Sequence, residues 1–227
     1  PPEISAVTIY PLEDNSRTPT SKPVRQAIRR ATDVLRARGA RVGEFPAKRF
    51  RRSVEMWSAR ITDHSGPPYS EILGQGAPLS LRREAARWLV GRSDHTAAAL
   101  SVAALEGLAG RLNGRLGQAA SAADRLKEDV SAALGRRGVL LFPAWSGTAP
   151  RHGGSAVRPL DFAYTGIFNI LGLPATVVPT GFDARGMPVA VQVVGGPGMD
   201  ALTLSVAQAI EAECGGWVRP ERLGRRP

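Results

Sequence analysis

An α/β layered fold, a mixed β-sheet covered by helices, is what the sequence predicts. Three observations carry that prediction. Short runs rich in β-branched residues alternate along the chain with stretches whose apolar residues recur at three- and four-residue steps. The run Gly138-Val139-Leu140-Leu141-Phe142 is apolar without a break, as expected of a strand buried on both faces in the middle of a sheet. The 227 residues are 43% hydrophobic and 22% charged, enough apolar side chain to bury a sizeable core and too much for a disordered chain.

Taken in order, residues 5–10 (Ser-Ala-Val-Thr-Ile-Tyr) are β-branched and aromatic and stop at Pro11, which predicts a strand. Residues 12–21, with Asn15, Pro19 and Ser21, read as a loop, and Thr20 or Ser21 is placed to cap a helix that tolerates Pro23 in its first turn. Val24, Ala27, Ile28, Ala31, Val34 and Leu35 form the inner face of that helix, with Arg25, Arg29, Arg36 and Arg38 outside. Gly39 stands where a helix C-terminus favours glycine, and residues 41–45 supply the next extended stretch. Residues 50–61 read as helix, broken at Ser65-Gly66-Pro67-Pro68. From 69 to 91 the pattern is interrupted helix, with Leu81, Ala85, Trp88 and Leu89 at helical spacing and Arg82, Arg83 and Arg87 off that face. Residues 95–134 form a long alanine-rich helical region, bent near Gly107, Gly110, Gly114 and Gly117.

After the apolar strand, residues 145–159 are a Gly/Pro/Ser loop and residues 160–171 a helix stopped by Gly172 and Pro174. Residues 175–179 and 188–194 read as two strands joined across Asp183-Ala184-Arg185-Gly186, a turn with glycine at its closing position. Leu202, Val206, Ala209 and Ile210 mark a last amphipathic helix. The expected organisation is one domain, 1–227, made of a strand–helix unit at 4–45, a helical cap region at 48–135, a sheet core with its closing helix at 138–214 and a basic tail at 215–227.

A net charge of +10 raises the question of nucleic acid. The 30 basic residues include only three lysines (Lys22, Lys48, Lys127), and the arginines are scattered in ones and twos rather than gathered in a stripe interleaved with aromatics. A solvated basic surface is the expectation, and no nucleic-acid partner. Cys214 is the single cysteine, which excludes a disulfide framework and a cysteine zinc site and suggests a reducing, cytoplasmic setting. His64, His95 and His152 are too far apart for a local metal motif, so no metal and no cofactor is expected. No apolar run approaches the roughly 20 residues that span a bilayer. The chain opens Pro1-Pro2 and its first methionine is Met56, which suggests a piece of a longer protein.

The residues that carry most information lie in the last third. The segment Phe162-Ala163-Tyr164-Thr165-Gly166-Ile167-Phe168-Asn169-Ile170-Leu171-Gly172-Leu173-Pro174-Ala175, followed by Gly186-Met187-Pro188-Val189-Ala190-Val191-Gln192-Val193-Val194-Gly195, resembles the carboxyl-terminal half of the amidase signature family. Val139 to Pro143 matches that family's apolar strand, and the combination with Gly215-Gly216-Trp217-Val218 resembles its fatty-acid amide hydrolase type-two branch in particular. The resemblance implies a mixed sheet wrapped by helices, of which this chain carries the carboxyl-terminal portion. It implies hydrolysis of a linear amide, apolar or fatty-acyl in character, by a serine–cis-serine–lysine arrangement with a glycine-rich oxyanion loop. Those catalytic parts belong to the family's amino-terminal half and have no counterpart here, so the chain alone is expected to be inactive, without catalytic residues of its own. The partner so implied is the missing amino-terminal half, and an exposed sheet edge is expected where it is absent.

Within the resemblance, residues 145–150 together with the helix at 164–169 line the acyl side of the substrate cleft, with Thr165, Ile167 and Phe168 the candidates for contact with the acyl chain, and the small-molecule amide is the ligand. The competing expectation for Ile167 and Phe168 is plain core packing. Asp161 stands one position out of register from an acidic anchor for substrate amino groups, and Phe162 takes that place, which favours an uncharged or lipid-like amide. Gly153-Gly154-Ser155 echoes a nucleophile loop but lacks the second serine and closing glycines, and His152 beside it has no Gly-x-Ser-x-Gly elbow, so a polar loop is the reading. Asn169 and Gln192 are expected to satisfy buried backbone. Leu81, Trp88 and Leu89, with arginines around them, suit peripheral contact with an acidic membrane surface, against packing on the rest of the domain or on a second copy in a homodimer. The alternative to an amidase half is a non-catalytic, amidase-derived binding or dimerisation module.

Overall fold

The apolar run does form the centre of a sheet. In the computed structural model, which describes residues 3–62, 67–77, 79–109, 113–151, 154, 158 and 160–219, the strands β1 (Thr8–Pro11), β2 (Arg41–Val42), β3 (Gly138–Pro143), β4 (Ala175–Phe182) and β5 (Pro188–Gly195) form one sheet in the order β2-β1-β3-β5-β4. The left half is parallel, with Thr8 opposite both Arg41 and Gly138. The right half is antiparallel, with Leu141 opposite Val193 and Val178 opposite Val191. All six residues of β3 are buried, so its two faces feed two separate cores.

Val139 and Leu141 point to one core, built with α1 (Lys22–Ala37) and α8 (Asp200–Cys214) from Val24, Ile28, Leu35, Leu202, Val206 and Ile210. Leu140 and Phe142 point to the other, built with α6 (Asn113–Leu134), α7 (Ala163–Leu171) and α2 (Ser53–Thr62) from Leu126, Val130, Tyr164, Phe168 and Met56. Each such buried side chain stabilises the fold by about 1.5–3 kcal/mol relative to exposure, as an upper estimate. The remaining described helices are α3 (Tyr69–Leu73), α4 (Leu81–Leu89) and α5 (Ala97–Ala109).

Several boundaries differ from those read in the sequence. Residues 4–6 are a turn of 3-10 helix instead of the start of β1, closed by the Ala6 and Val7 amides donating to the Glu3 and Ile4 carbonyls at 3.0 Å, and they pass close to Gly39, where a Cβ would come within 3.2 Å of Ser5 Cβ. The strand accordingly begins at Thr8 and includes Pro11. The alanine-rich region is two helices, α5 and α6, with residues 110–112 outside the described set. Residues 160–162 are a turn, and α7 starts at Ala163. Strand β4 runs on to Phe182 through a bulge between Pro179 and Gly181, which suits an edge strand carrying a proline that cannot donate. On that edge Val177 and Phe182 are 54% and 56% exposed.

Helix α4 is inside out relative to its sequence pattern. Glu84 is buried, held by the Ser93 hydroxyl at 2.9 Å, whereas Trp88, Leu89 and Val90 are exposed and Leu81 is half-buried. Among the described residues no helix is long and apolar enough to cross a membrane.

Candidate functional site

The loop leaving β3 decides what the surface here looks like. Phe142 and Pro143 end the buried strand, and the chain then turns into residues 145–150, which pack against the start of α1, the residues before α7 and the β4–β5 turn. Between them lies a cavity of about 220 Å³, whose described wall is made of Ser21, Trp145, Gly147, Thr148, Pro150, Gly154, Arg158 and Arg185.

Two hydrogen-bond systems hold that wall. In the first, Ser146 is wholly buried and its hydroxyl donates to the carboxyl of Asp161, itself 1% exposed, while Arg158 Nη1 donates to Ser146 Oγ at 2.9 Å. Ser146 also accepts the Ser21 amide at 2.7 Å through its carbonyl oxygen, which ties the loop to the first residue before α1. In the second, Asp183 accepts the amides of Arg185 and Met187 at 2.8 and 2.9 Å, then the Arg185 side chain at 3.2 Å and the Thr148 hydroxyl at 3.4 Å. The Met187 amide, and after it the Arg185 amide and guanidinium, hold the Asp183 carboxyl below the usual carboxylate range against the opposing effect of desolvation. Arg185 Nη2 in turn donates to Thr148 Oγ1 at 3.1 Å.

Ser21 occupies the N-cap position of α1 as its sequence context predicts, but its side chain makes no cap hydrogen bond. Its Oγ is buried and has no partner among the described residues. It lies instead beside Gly147, where a point one bond above the glycine Cα is 3.8 Å from both Ser21 Oγ and Arg158 Nη1.

Behind the loop sits α7, fixed from two sides. Gln192, 2% exposed, donates from Nε2 to the carbonyls of Pro143 at 2.8 Å and Tyr164 at 2.7 Å, which is the backbone-satisfying role expected of it. The Tyr164 hydroxyl donates to the Thr18 carbonyl, and burial pushes its phenol far up, so it stays protonated. Asn169, given the same expected role as Gln192, is exposed on α7.

Of the expected substrate contacts, Thr165 is half-buried and its hydroxyl donates to the Phe162 carbonyl at 3.2 Å. Ile167 and Phe168 are 0% and 1% exposed, and the Phe168 ring meets Phe142 edge-on at 5.2 Å and Phe50 at 5.8 Å. The described wall of the cavity contains none of the three. Ser155, His152 and His64 lie outside the described residues. Cys214 is buried at the end of α8, and desolvation raises its thiol, which suits an inert side chain. No group of three His, Cys, Asp or Glu able to hold a metal occurs among the described residues.

Sequence reading placed 145–150 at a cleft but missed Ser21, Arg158 and Arg185 as neighbours of Gly147. Ser21 presented itself as a cap and Arg185 as part of a turn, and no motif spacing links positions 21, 147, 158 and 185 across three elements.

The same architecture is found in proteins named for amide cleavage. Human fatty-acid amide hydrolase 2 is 36% identical to this chain over 191 residues, 82% of this chain and 36% of that protein. Fatty-acid amide hydrolase 2-B of Danio rerio is 30% identical over 228 residues, 96% of this chain and 43% of that one. In fold, the chain superposes on 6-aminohexanoate cyclic dimer hydrolase with a TM-score of 0.65 at 20% identity, covering 95% of this chain and 46% of that structure. The chain thus spans less than half the length of these relatives. With the family model named Amidase matching residues 6–204, the whole sheet and most of the helices that cover it, this chain belongs to the amidase signature family.

Proposed function

We propose that this chain forms the pocket side of an enzyme that hydrolyses the carbon–nitrogen bond of a linear amide, with the nucleophile and base supplied by an amino-terminal amidase segment outside these 227 residues. The observation that supports this most directly is the cavity at the end of β3, walled by the 145–150 loop and two arginines in a chain of amidase family. At about 220 Å³ it is smaller than the roughly 300–1,000 Å³ of most complete small-molecule sites, and Trp145 and Pro150 are its apolar wall residues among polar ones. On this reading Thr165 bounds the acyl side, with Ile167 and Phe168 shaping it from the core behind, and the acyl group is apolar in its main length. In the complete enzyme a serine attacks the amide carbonyl, a second serine relays the proton to lysine, and backbone amides hold the oxyanion. No residue of this chain takes a bond-making role. A reducing cytoplasmic setting, and peripheral contact of α4 with an acidic membrane, belong to the same proposal.

The test is an assay on linear amides of increasing acyl length. The chain alone is expected to give no hydrolysis, and hydrolysis is expected when an amino-terminal amidase segment is supplied. Turnover by the chain alone, abolished by Ser155→Ala, overturns this division of labour. Stable association without turnover favours the alternative of a non-catalytic binding module.

A further inference from the structure

We infer that the cavity between Arg158 and Arg185 binds a carboxylate, so that the amide this site accepts carries one; the inference rests on the amidase reading and narrows its substrate class. The first argument is charge. The described wall includes two arginines and no acidic residue. The acids that orient those arginines, Asp161 and Asp183, are set back from it, with side chains 2% and 3% exposed and already engaged by Ser146 in one case and by backbone amides in the other. Each arginine is thus anchored by a buried acid, and each side chain, 59% and 75% exposed, is also part of the cavity wall.

The second argument is donor geometry. A guanidinium offers five N–H donors in a rigid fork that matches a carboxylate. Among the described residues only Nη1 of Arg158 and Nε and Nη2 of Arg185 have partners, which leaves donors on each. Ser21 Oγ, a hydroxyl without a partner among the described residues, has no accessible surface and stands just behind this wall. Ser21 Oγ and Arg158 Nη1 converge, each 3.8 Å from one point above Gly147. Because Ser21 also opens the sixteen-residue helix α1, the positive end of that helix dipole meets the same wall.

The third argument is size and polarity. A volume near 220 Å³ holds about seven waters at roughly 30 Å³ each, room for a carboxylate and a short chain lying against Trp145 and Pro150. A neutral fatty acyl chain inserted there would leave the guanidinium donors without acceptors.

The test is calorimetric titration of the 227-residue chain at fixed low ionic strength with hexanoate, hexanamide and inorganic phosphate. Hexanoate is expected to bind saturably and at least tenfold more tightly than hexanamide, about 1.4 kcal/mol, and more tightly than phosphate. Arg185→Gln should weaken hexanoate at least fivefold, and Arg158→Lys, which keeps charge but loses the fork, should weaken it less than Arg158→Gln. Gly147→Ala changes no charge and meets only ordinary contacts at 3.8 Å, so it should leave the melting temperature unchanged while blocking the convergence point and weakening hexanoate at least fivefold. Arg83→Gln on exposed α4 should change nothing and guards against diffuse attraction to a chain of charge +10. Equal binding of hexanamide or phosphate, or equal loss in Arg83→Gln and Arg185→Gln, overturns the inference. Selective hexanoate binding without hydrolysis in the complemented enzyme defeats only the amidase reading, whereas hydrolysis that ignores substrate carboxylates defeats only this one.

Discussion

Gln192 Nε2 lies 2.7 Å from the Tyr164 carbonyl, and the same nitrogen lies 2.8 Å from the Pro143 carbonyl, so one side-chain amide joins β5, the end of β3 and the first turn of α7. Each carbonyl is in a region where water does not reach, since Gln192 is 2% exposed and Tyr164 is fully buried. Gln192→Leu keeps the volume and leaves both acceptors unpaired, which is expected to cost about 2–4 kcal/mol. Urea unfolding of the two proteins measures it, and a loss under about 0.5 kcal/mol would mean the carbonyls find other donors.

Phe142 is the hub of an aromatic group with ring centroids 5.0 Å from Phe50, 5.6 Å from Tyr164 and 5.2 Å from Phe168. Truncation removes several ring contacts at once and opens a void that four elements cannot close together. Phe142→Ala is therefore expected to destabilise by about 3–5 kcal/mol, and Phe142→Leu by clearly less. Urea midpoints compared at equal denaturation slope give the difference.

How much of this was legible beforehand varied with the range of the interaction. Local rules located α1 with its cap position at Ser21, the turn closing at Gly186 and the buried strand β3, because capping, turn chemistry and apolar runs are written in neighbouring residues. The sheet order is not local: β1 pairs with β3 across more than a hundred residues, and only the family resemblance hinted at it. Helix α4 defeated the periodicity rule, since Glu84 found partners in the half-buried Ser93 and in Arg87 and the apolar residues were left outside. The 145–150 loop was expected on a cleft wall and does line the cavity, but its other wall was invisible for the same reason as the sheet order. Ser21, Gly147, Arg158 and Arg185 share no period, and Asp161 reads as an acid out of register until Ser146 is seen to hold it.

The exposed face of α4 has its own consequence. Trp88, Leu89 and Val90 are 47%, 78% and 66% exposed, with Arg82, Arg83 and Arg92 exposed around them. A rim of like charge opposes face-to-face pairing of two copies and favours an anionic surface. The chain is expected to sediment with phosphatidylserine-containing vesicles at low salt and much less with neutral ones, and Leu89→Ser should reduce the bound fraction severalfold. Equal recovery with and without vesicles removes this role for α4.

The β4–β5 turn makes stability depend on acid in a direction fixed by Asp183. Its folded carboxyl titrates below the usual range because the Met187 and Arg185 amides and the Arg185 guanidinium stabilise the charged form. In the unfolded chain the same group takes up a proton near its ordinary value, about 3.9. Between those two points the unfolded state binds more protons than the folded one, so lowering the pH favours unfolding. The contribution of Asp183 is accordingly complete above the ordinary value and lost as pH falls through the folded one. Asp183→Asn should therefore lower the urea midpoint at neutral pH, with the gap to the parent closing below about pH 4. A gap that stays constant with pH would assign the loss to geometry rather than charge. Because Asp183 also orients Arg185 toward Thr148 and the cavity, the same variant should weaken hexanoate binding at neutral pH, where the fold itself persists.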